Sequence, residues 1–303
     1  MVLRLGVVGL GRWGRNHVRV AKELEWEGVS KLVAVCDIEP SRAREVAQRF
    51  SVPNFYTDPE EMMRREQLDA VTIAVPIGSL AKVARIAAEY GVSFLVEKPV
   101  AESSAVAEEL AQVSEARGVV AVPGFIMRFN PAIEALKRIV EESEPVYAVF
   151  KRLSRRPPWA RRYHIVLDLT IHDIDLVRHL FGDVARVRWS EVQRVRDDDV
   201  VIALLEAGRA LALVHTDGIS LAKVREVDVV TTEFFVRINT DDLEVSLRRS
   251  GRVERIYVRG EEPLKKEVRS FLEAVKGSVP PGVPSLRDAV EALKIAETIL
   301  SRG

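Results

Sequence analysis

A disulfide within this chain is excluded, because its 303 residues include a single cysteine, Cys36. One thiol and no signal-peptide pattern at the N-terminus lead us to expect a reducing, cytoplasmic location. No apolar run approaches the ~20 residues that a membrane-spanning helix needs. An excess of charge is missing too: 45 Lys and Arg residues balance 45 Asp and Glu residues. A broad surface for nucleic acid or anionic membrane is therefore not expected.

The composition that remains, 47% hydrophobic and 30% charged, is that of a globular protein long enough for two domains. Apolar strand patterns alternate with helical patterns up to about Gly124, which predicts a doubly wound parallel sheet. Beyond it, period-two segments follow one another without helices between them, which predicts a large, mainly antiparallel open sheet in an α+β domain. We place the boundary between residues 123 and 124. The second domain runs over 124–284, and the helix at 285–303 is expected to pack back on the first.

A glycine-rich turn lies between the first strand and the first helix, with the sequence Gly9-Leu10-Gly11-Arg12-Trp13-Gly14. Its glycines allow a tight turn, an approach of the backbone to a pyrophosphate, and close packing of helix on strand. The spacing alone also fits a glycine turn in a protein without a nucleotide. The strand before it, the helix after it and Asp37 at the end of the second strand favour a dinucleotide-binding Rossmann domain spanning residues 1–123.

The identity of the dinucleotide is predicted from Asp37, whose carboxylate would accept hydrogen bonds from ribose hydroxyls and repel the 2′-phosphate of NADP. NAD is therefore the expected cofactor and NADP the less favoured one. Arg42 and Arg44 follow closely in sequence and offer positive charge that would moderate this preference.

A second pattern lies in the stretch Ile165–Gly182, which has helical spacing and carries two acids and two histidines along one side. Asp168 and His172 are four residues apart, so each is within reach of the other on a helix. His172 and His179 are about 10.5 Å apart at a rise of ~1.5 Å per residue, too far to share a metal ion, and no metal site is expected. A carboxylate beside an imidazole suits a general base, although the spacing alone fits a structural pair equally well.

Taken with Glu97-Lys98-Pro99, these motifs give the chain a resemblance to the glucose–fructose oxidoreductase/inositol dehydrogenase (Gfo/Idh/MocA) family. The resemblance covers essentially the whole chain. It rests on an ordered set of segments: GVVGLGRWGRNH, CDIEPSRA, YTDPEEMM, LDAVTIAVP, VEKPVA, GFIMRFNPA and LDLTIHDIDLVRHLFG. It is strongest to the branch of UDP-N-acetylglucosamine-type 3-dehydrogenases.

The resemblance implies an NAD-dependent oxidoreductase that moves a hydride between a secondary hydroxyl of a sugar and nicotinamide. It implies catalytic roles for Lys98, Asp168 and His172, in which His172 takes the hydroxyl proton and Lys98 holds the oxygen. Cofactor contacts are expected from the glycine turn with Arg12 and Trp13, and from Asp37, Pro76, Glu97 and Lys98. The chain departs from many relatives at Leu80, four residues after Pro76, where they carry a histidine.

Substrate contacts are expected at Arg128 and Asn130 through the RFNP segment of the resemblance. Arg155 and Arg156 belong to an arginine-rich stretch that could clasp a nucleotide diphosphate, because guanidinium groups match phosphate oxygens. A solvated or subunit-facing loop is an equal alternative for that stretch.

Several functions stay open at this point. A nucleotide sugar oxidised at C3 is the leading substrate, and a free sugar or polyol such as inositol is the alternative. A non-catalytic NAD-binding regulator is a third possibility. Tightly held NAD recycled by a second substrate is a fourth. An open sheet of this size also predicts a homodimer or homotetramer.

Overall fold

The structure is a computed structural model, which describes residues 2–302. Its first sheet has six parallel strands in the order β3-β2-β1-β4-β5-β6. These strands are β1 (Leu3–Val8), β2 (Ser30–Cys36), β3 (Asn54–Tyr56), β4 (Ala70–Ile73), β5 (Ser93–Glu97) and β6 (Ala121–Gly124). The order reverses direction beside β1, so the strand that leads into the glycine turn lies at the switch point where such sheets bind ligands. The predicted doubly wound parallel sheet is confirmed.

Amphipathic helices connect these strands, and their apolar sides supply much of the core. They are α1 (Arg12–Trp26), α2 (Pro40–Phe50), α3 (Pro59–Glu66), α4 (Ile77–Glu89) and α5 (Ser104–Arg117). The core cluster joins strand residues such as Leu5 and Val35 to helix residues such as Val18 and Leu24, all at most 1% exposed. Burial of these side chains provides the main stabilisation of this layer.

The second sheet has eight strands in the order β14-β13-β12-β11-β7-β10-β9-β8. Neighbouring strands are antiparallel, except that β10 runs parallel to β7. The strands are β7 (Pro145–Leu153), β8 (Val184–Val195), β9 (Asp198–Ala207), β10 (Ala210–Asp217), β11 (Val224–Thr231), β12 (Phe234–Asn239), β13 (Glu244–Arg249) and β14 (Arg252–Tyr257). The predicted large, mainly antiparallel sheet is confirmed.

The remaining helices are α6 (Pro131–Val140), α7 (Ile171–Phe181), α8 (Pro263–Val275) and α9 (Leu286–Leu300). Among the described residues, 2–302, no helix is long and apolar enough to cross a membrane.

The chain divides into two compact units, and the division differs from the predicted one. The first unit ends at Ile126 and also includes Leu264–Val290, while the second holds Met127–Pro263 and the chain from Glu291 onwards. The segment 264–284 thus belongs to the first unit. The reason is visible in α8, where Val268 and Phe271, both fully buried, join the core cluster of the parallel sheet.

Residues 165–182 do not form one regular helix. Val166–Thr170 is a π-helical turn, and only from Ile171 does the chain continue as the α-helix α7. The amides of Leu167 and Asp168 both donate to the carbonyl of His164, at 3.1 and 3.0 Å. Asp168 lies within the π-helical turn, and such turns are frequent at functional sites.

Candidate functional site

The glycine turn after β1 has the shape that its sequence predicts. Gly9 adopts φ +86°, and a Cβ there would lie 2.5 Å from the carbonyl oxygen of Ala74. A Cβ on Gly14 would lie 1.7 Å from the carbonyl oxygen of Gly9, because helix α1 packs directly on the turn. A Cβ on Gly11, by contrast, would meet nothing within 4 Å. Gly9 and Gly14 thus shape the turn, and the space beside Gly11 is open.

The start of α1 suits an anion. Its N-cap is Gly11, which provides no side-chain hydrogen bond, and its first turn contains no acidic residue. The amides at this helix end are therefore available, and the helix dipole adds partial positive charge. Together with the open space at Gly11, these groups fit the pyrophosphate of a dinucleotide. Arg12, the first residue of the helix, is exposed beside them.

Asp37, at the carboxyl end of β2, is tied to the glycine turn. Its Oδ2 accepts a hydrogen bond from the amide of Leu10 at 2.8 Å, and its Oδ1 accepts one from the amide of Glu39 at 2.9 Å. Arg42 donates to both oxygens at 3.0 and 3.2 Å. Burial, reinforced by the nearby charge of Asp37, raises the pKa of the Cys36 thiol to about 12, so Cys36 is an inert strand residue.

Glu97, at the end of β5, joins that strand to α1. Its Oε1 accepts hydrogen bonds from the indole Nε1 of Trp13 at 2.6 Å and lies 2.9 Å from Nε2 of His17. An ionised carboxylate can only accept, so the His17 tautomer in this contact carries its proton on Nε2. Sequence reasoning missed His17, although its position four residues after Trp13 places both on one side of α1. Glu97 thus braces the first turn of α1 against β5.

Lys98 follows β5 directly, and the Lys98–Pro99 peptide bond is cis. Pro76 follows β4 and caps the N-terminus of α4. Both residues lie at the carboxyl edge of the parallel sheet, where ligands of such folds bind. Leu80 is 1% exposed within α4, so the position where many relatives carry a histidine is packed into the core here.

Asp168 and His172 lie in the second unit, on the π-helical turn and on α7. The Asp168 side chain keeps 22% of its surface exposed and accepts a hydrogen bond from Arg156 at 3.3 Å. His172 is 9% exposed. The other two acids of α7 serve as ion-pair partners: Asp173 pairs with Arg152 through bonds of 2.7 and 2.9 Å, and Asp175 pairs with Arg128.

The residues predicted to bind substrate divide into buried and exposed ones. Arg128 donates to Asp175 at 2.6 to 3.1 Å and is buried with it. Asn130 caps α6 through the amide of Ala132, at 2.9 Å, and donates to the carbonyl of Thr240. These geometries favour structural roles over the predicted substrate contacts, because the polar groups are already occupied by the protein.

In the arginine-rich stretch, the adjacent residues Arg155 and Arg156 differ in exposure. Arg155 is exposed. Arg156 is 3% exposed and donates to Asp198, Asp168 and the carbonyl of Tyr163. The phosphate contact predicted for Arg156 is not favoured by this geometry, since a phosphate would have to displace a buried carboxylate. Within residues 2–302, no group of three or more His, Cys, Asp or Glu side chains is placed to hold a metal ion.

Comparison with known proteins shows which family and which enzymes this chain is similar to. Residues 3–125 match the model of the Gfo/Idh/MocA group, described as an oxidoreductase family with an NAD-binding Rossmann fold. The chain is 32% identical over 254 residues to a D-apiose dehydrogenase of Paraburkholderia graminis, an alignment that covers 78% of this chain and 67% of that protein.

Two further relatives act on other compounds. The chain is 34% identical over 188 residues to a scyllo-inositol 2-dehydrogenase (NAD(+)) of Bacillus subtilis, covering 59% of this chain and 54% of that protein. It is 29% identical over 296 residues to a UDP-N-acetylglucosamine 3-dehydrogenase of Acidithiobacillus ferrooxidans, covering 97% and 84%. A crystal structure of the latter enzyme superposes with a TM-score of 0.88 at 25% identity, covering 99% of this chain and 97% of that one.

Proposed function

Because the chain belongs to the Gfo/Idh/MocA family of NAD-binding oxidoreductases, we propose that it oxidises a secondary hydroxyl of a nucleotide sugar at C3. NAD, when bound, supplies the acceptor for the hydride. The observation that carries the proposal is the glycine turn, where an open backbone cradle and an uncapped helix end fit a pyrophosphate.

A secondary alcohol releases a hydride only if its hydroxyl proton also leaves, so the reaction needs a base. His172 is the proposed base, since an imidazole has the intrinsic pKa for proton transfer near neutral pH. Asp168 is proposed to orient it, and its partly exposed carboxylate lies one turn earlier in the chain.

Lys98 is the proposed oxygen-binding group. An ammonium group stabilises the negative charge that develops on the hydroxyl oxygen as the proton leaves. Lys98 follows β5 directly and is next to Glu97 in sequence. Trp13 and His17 both contact Glu97, so the end of the strand that carries Lys98 is held against α1. Asp37 is proposed to bind the ribose hydroxyls, which favours NAD over NADP.

The nucleotide sugar is proposed over a free polyol because the UDP-N-acetylglucosamine 3-dehydrogenase aligns with 97% of this chain, against 59% for the inositol enzyme and 78% for the apiose enzyme. Arg155 stays the candidate phosphate contact, since it is the exposed member of the arginine pair. Oxidation of a free sugar or polyol is the second candidate, supported by the two shorter alignments.

Two measurements test this function. Mass spectrometry of small molecules released from the purified protein tells whether NAD is retained. NADH formation is then followed with UDP-N-acetylglucosamine, scyllo-inositol, myo-inositol and D-apiose. Turnover of the UDP-sugar supports the proposal, turnover of the free compounds alone supports the second candidate, and NAD binding without turnover supports a regulator. Replacing Arg155 by Ala should raise KM for the UDP-sugar and leave it unchanged for a polyol.

We also propose that the chain associates into a homodimer or homotetramer through its eight-stranded sheet. Tyr147 and Leu211 are register partners on β7 and β10 and are 47% and 41% exposed, and Ile256 and Tyr257 are exposed on β14. Exposed apolar side chains on a sheet favour burial against a second copy. Sedimentation at micromolar concentration tests this, and a monomer would contradict it.

A further inference from the structure

Arg156 connects two carboxylates of the second unit, and only one of them belongs to the proposed catalytic set. Its Nε donates to both oxygens of Asp198 at 3.0 Å, and its Nη2 also contacts Asp198. Its Nη1 donates to Oδ2 of Asp168 at 3.3 Å and to the carbonyl of Tyr163 at 3.0 Å. One rigid guanidinium group thus reaches from Asp198 to the carboxylate of Asp168.

The Asp198 end of this connection is held firmly. Asp198 is fully buried, and its Oδ1 accepts a hydrogen bond from the amide of Asp199 at 2.9 Å. A Cβ on Gly218 would lie 2.2 Å from Cγ of Asp198, so only glycine leaves room for this carboxylate. The amide of Arg156 itself donates to the carbonyl of Gly218 at 3.0 Å. The carbonyl of Gly218 and the carboxylate of Asp198 therefore hold Arg156 in the position from which it donates to Asp168.

Arg156 and Asp198 are both held in their charged forms. Burial opposes the charged form of Arg156, but hydrogen bonds and the charge of Asp198 outweigh it, and the pKa of Arg156 is raised. Burial likewise acts against ionised Asp198, and the hydrogen bonds from Arg156 and from the Asp199 amide reverse the effect, so the pKa of Asp198 is lowered. Arg156 is thus a permanent cation beside Asp168.

The contact with Tyr163 adds a second restraint. The carbonyl of Tyr163 immediately precedes His164, whose own carbonyl accepts the amides of Leu167 and Asp168. Arg156 therefore holds both the entrance to the π-helical turn and the carboxylate that this turn carries.

We propose that Arg156 is a positioning residue that fixes the Asp168 carboxylate for catalysis, and that it is not a phosphate-binding residue. This inference rests on the proposed catalytic role of Asp168. Holding a catalytic group in place matters because a misplacement of about 1 Å can cost on the order of 100-fold in rate.

The test compares two double variants, because removing Arg156 alone would leave fully buried Asp198 with only Arg161, at 3.7 Å, as a nearby cation. Arg156→Met/Asp198→Asn removes both charges and with them the hydrogen bond from Arg156 to Asp168. Arg152→Met/Asp173→Asn is the matched control: it removes another buried arginine–aspartate pair, whose hydrogen bonds join Arg152 to Asp173 of α7. Both are assayed for kcat, KM, NADH affinity and melting temperature, with the best substrate among UDP-N-acetylglucosamine, scyllo-inositol, myo-inositol and D-apiose.

The first double variant should lose roughly 10- to 100-fold in kcat, with KM and NADH affinity within about 3-fold of wild type. The control should keep kcat within about 3-fold although its melting temperature falls. Arg156→Lys, which keeps a cation but loses the fork, should recover part of kcat. Wild-type kcat in Arg156→Met/Asp198→Asn, an equal loss in the control, or a rise in KM alone would overturn the inference.

Asp168→Asn separates this inference from the proposed function. If Asp168→Asn turns over like wild type, the catalytic role of Asp168 fails. If Asp168→Asn is inactive and Arg156→Met/Asp198→Asn is not impaired, only the role of Arg156 fails.

Hydrogen exchange of the backbone amides of residues 163–170 tests whether Arg156 restrains the π-helical turn, and it needs no substrate. We expect faster exchange in Arg156→Met/Asp198→Asn than in the control variant. Equal protection in the two variants would overturn the inference.

Discussion

In the first unit the candidate site is made mainly of backbone: the glycine turn leaves amides and space, and the N-cap of α1, Gly11, makes no side-chain hydrogen bond. In the second unit the candidate site is made of side chains, and their charges are held by buried arginine–aspartate pairs. The first kind of site depends on the absence of a Cβ. The second depends on charge balance.

The two kinds of site should therefore fail under different substitutions. Adding a single methyl group damages the glycine turn, because the new Cβ has no room beside the backbone. Removing a single charge damages the second unit, where an unpaired buried ion has no water to stabilise it.

The largest effect is expected from Arg128→Met, which removes the guanidinium group that donates to buried Asp175. The two side chains are 6% and 1% exposed, so we expect a loss of about 3–5 kcal/mol in the free energy of unfolding. Arg128→Met/Asp175→Leu removes both charges and should recover most of the loss. Urea denaturation measures both, and a single variant as stable as wild type would contradict the charge-balance account.

Gly14→Ala should have the next largest effect. The new Cβ would lie 1.7 Å from the carbonyl oxygen of Gly9, and helix and turn must move apart at a cost of about 3 kcal/mol. NAD binding should be lost with it. Gly11→Ala is the matched control, since its Cβ meets no protein atom within 4 Å.

Gly11→Ala should melt like wild type and still bind NADH more weakly, because the methyl group occupies the space proposed for the pyrophosphate. Calorimetry and NADH titration distinguish the two variants. If Gly14→Ala and Gly11→Ala had the same melting temperature and the same NADH affinity, the close packing at Gly14 and the open space at Gly11 would be contradicted.

A smaller effect is expected at Asp37. Asp37→Ser removes the proposed ribose contact and weakens the tie to the Leu10 amide, so NADH affinity should fall on the order of 10-fold. The repulsion of a 2′-phosphate disappears with the carboxylate, and Arg42, released from Asp37, becomes a partner for it. The ratio of NADPH to NADH affinity should rise. An unchanged ratio would exclude Asp37 as the discriminating residue.

The smallest effect is a pH dependence at His164. Its Nδ1 accepts a hydrogen bond from the amide of Val166 at 3.2 Å, which requires the unprotonated nitrogen. Burial foremost, together with the charges of Arg156 and Arg194, lowers its pKa. The unfolded chain therefore takes up this proton near the ordinary value of 6.5, and the folded chain does so only at lower pH.

The contribution of His164 to stability is thus complete above that value and falls as the pH drops below it. His164→Asn keeps an acceptor in place of Nδ1 and does not titrate. Melting curves between neutral and mildly acidic pH should show a steeper decline for wild type than for the variant. Parallel declines would contradict the role given to this imidazole.

Much of the first unit was predictable because its signals are local. A glycine turn, the strand before it and an acid at the next strand end lie within one segment of chain, and β1, α1 and β2 follow from hydrophobic periodicity. The antiparallel sheet was predictable for the same reason. Residues 264–284 were assigned to the other unit, because an amphipathic helix does not reveal which core it joins.

The candidate site of the second unit was less predictable because its contacts are remote in sequence. Nothing near Arg156 indicates that Asp198 is its partner, and exposed Arg155 has the same local pattern. The π-helical turn at Asp168 was missed since one extra residue in a turn leaves no mark on an apolar stripe. His17 was missed because its partner Glu97 is 80 residues away.

The most direct measurement is NADH formation by wild type, Lys98→Ala and His172→Ala, each shown to be folded and to bind NADH. We expect wild type to turn over at least one of the four probe substrates. Each variant should lose at least about 100-fold in kcat with NADH affinity retained, because the base or the oxygen-binding group is gone. Turnover near wild type in either variant would contradict the proposed mechanism, and an NAD-bound wild type inactive on all four would contradict the proposed function.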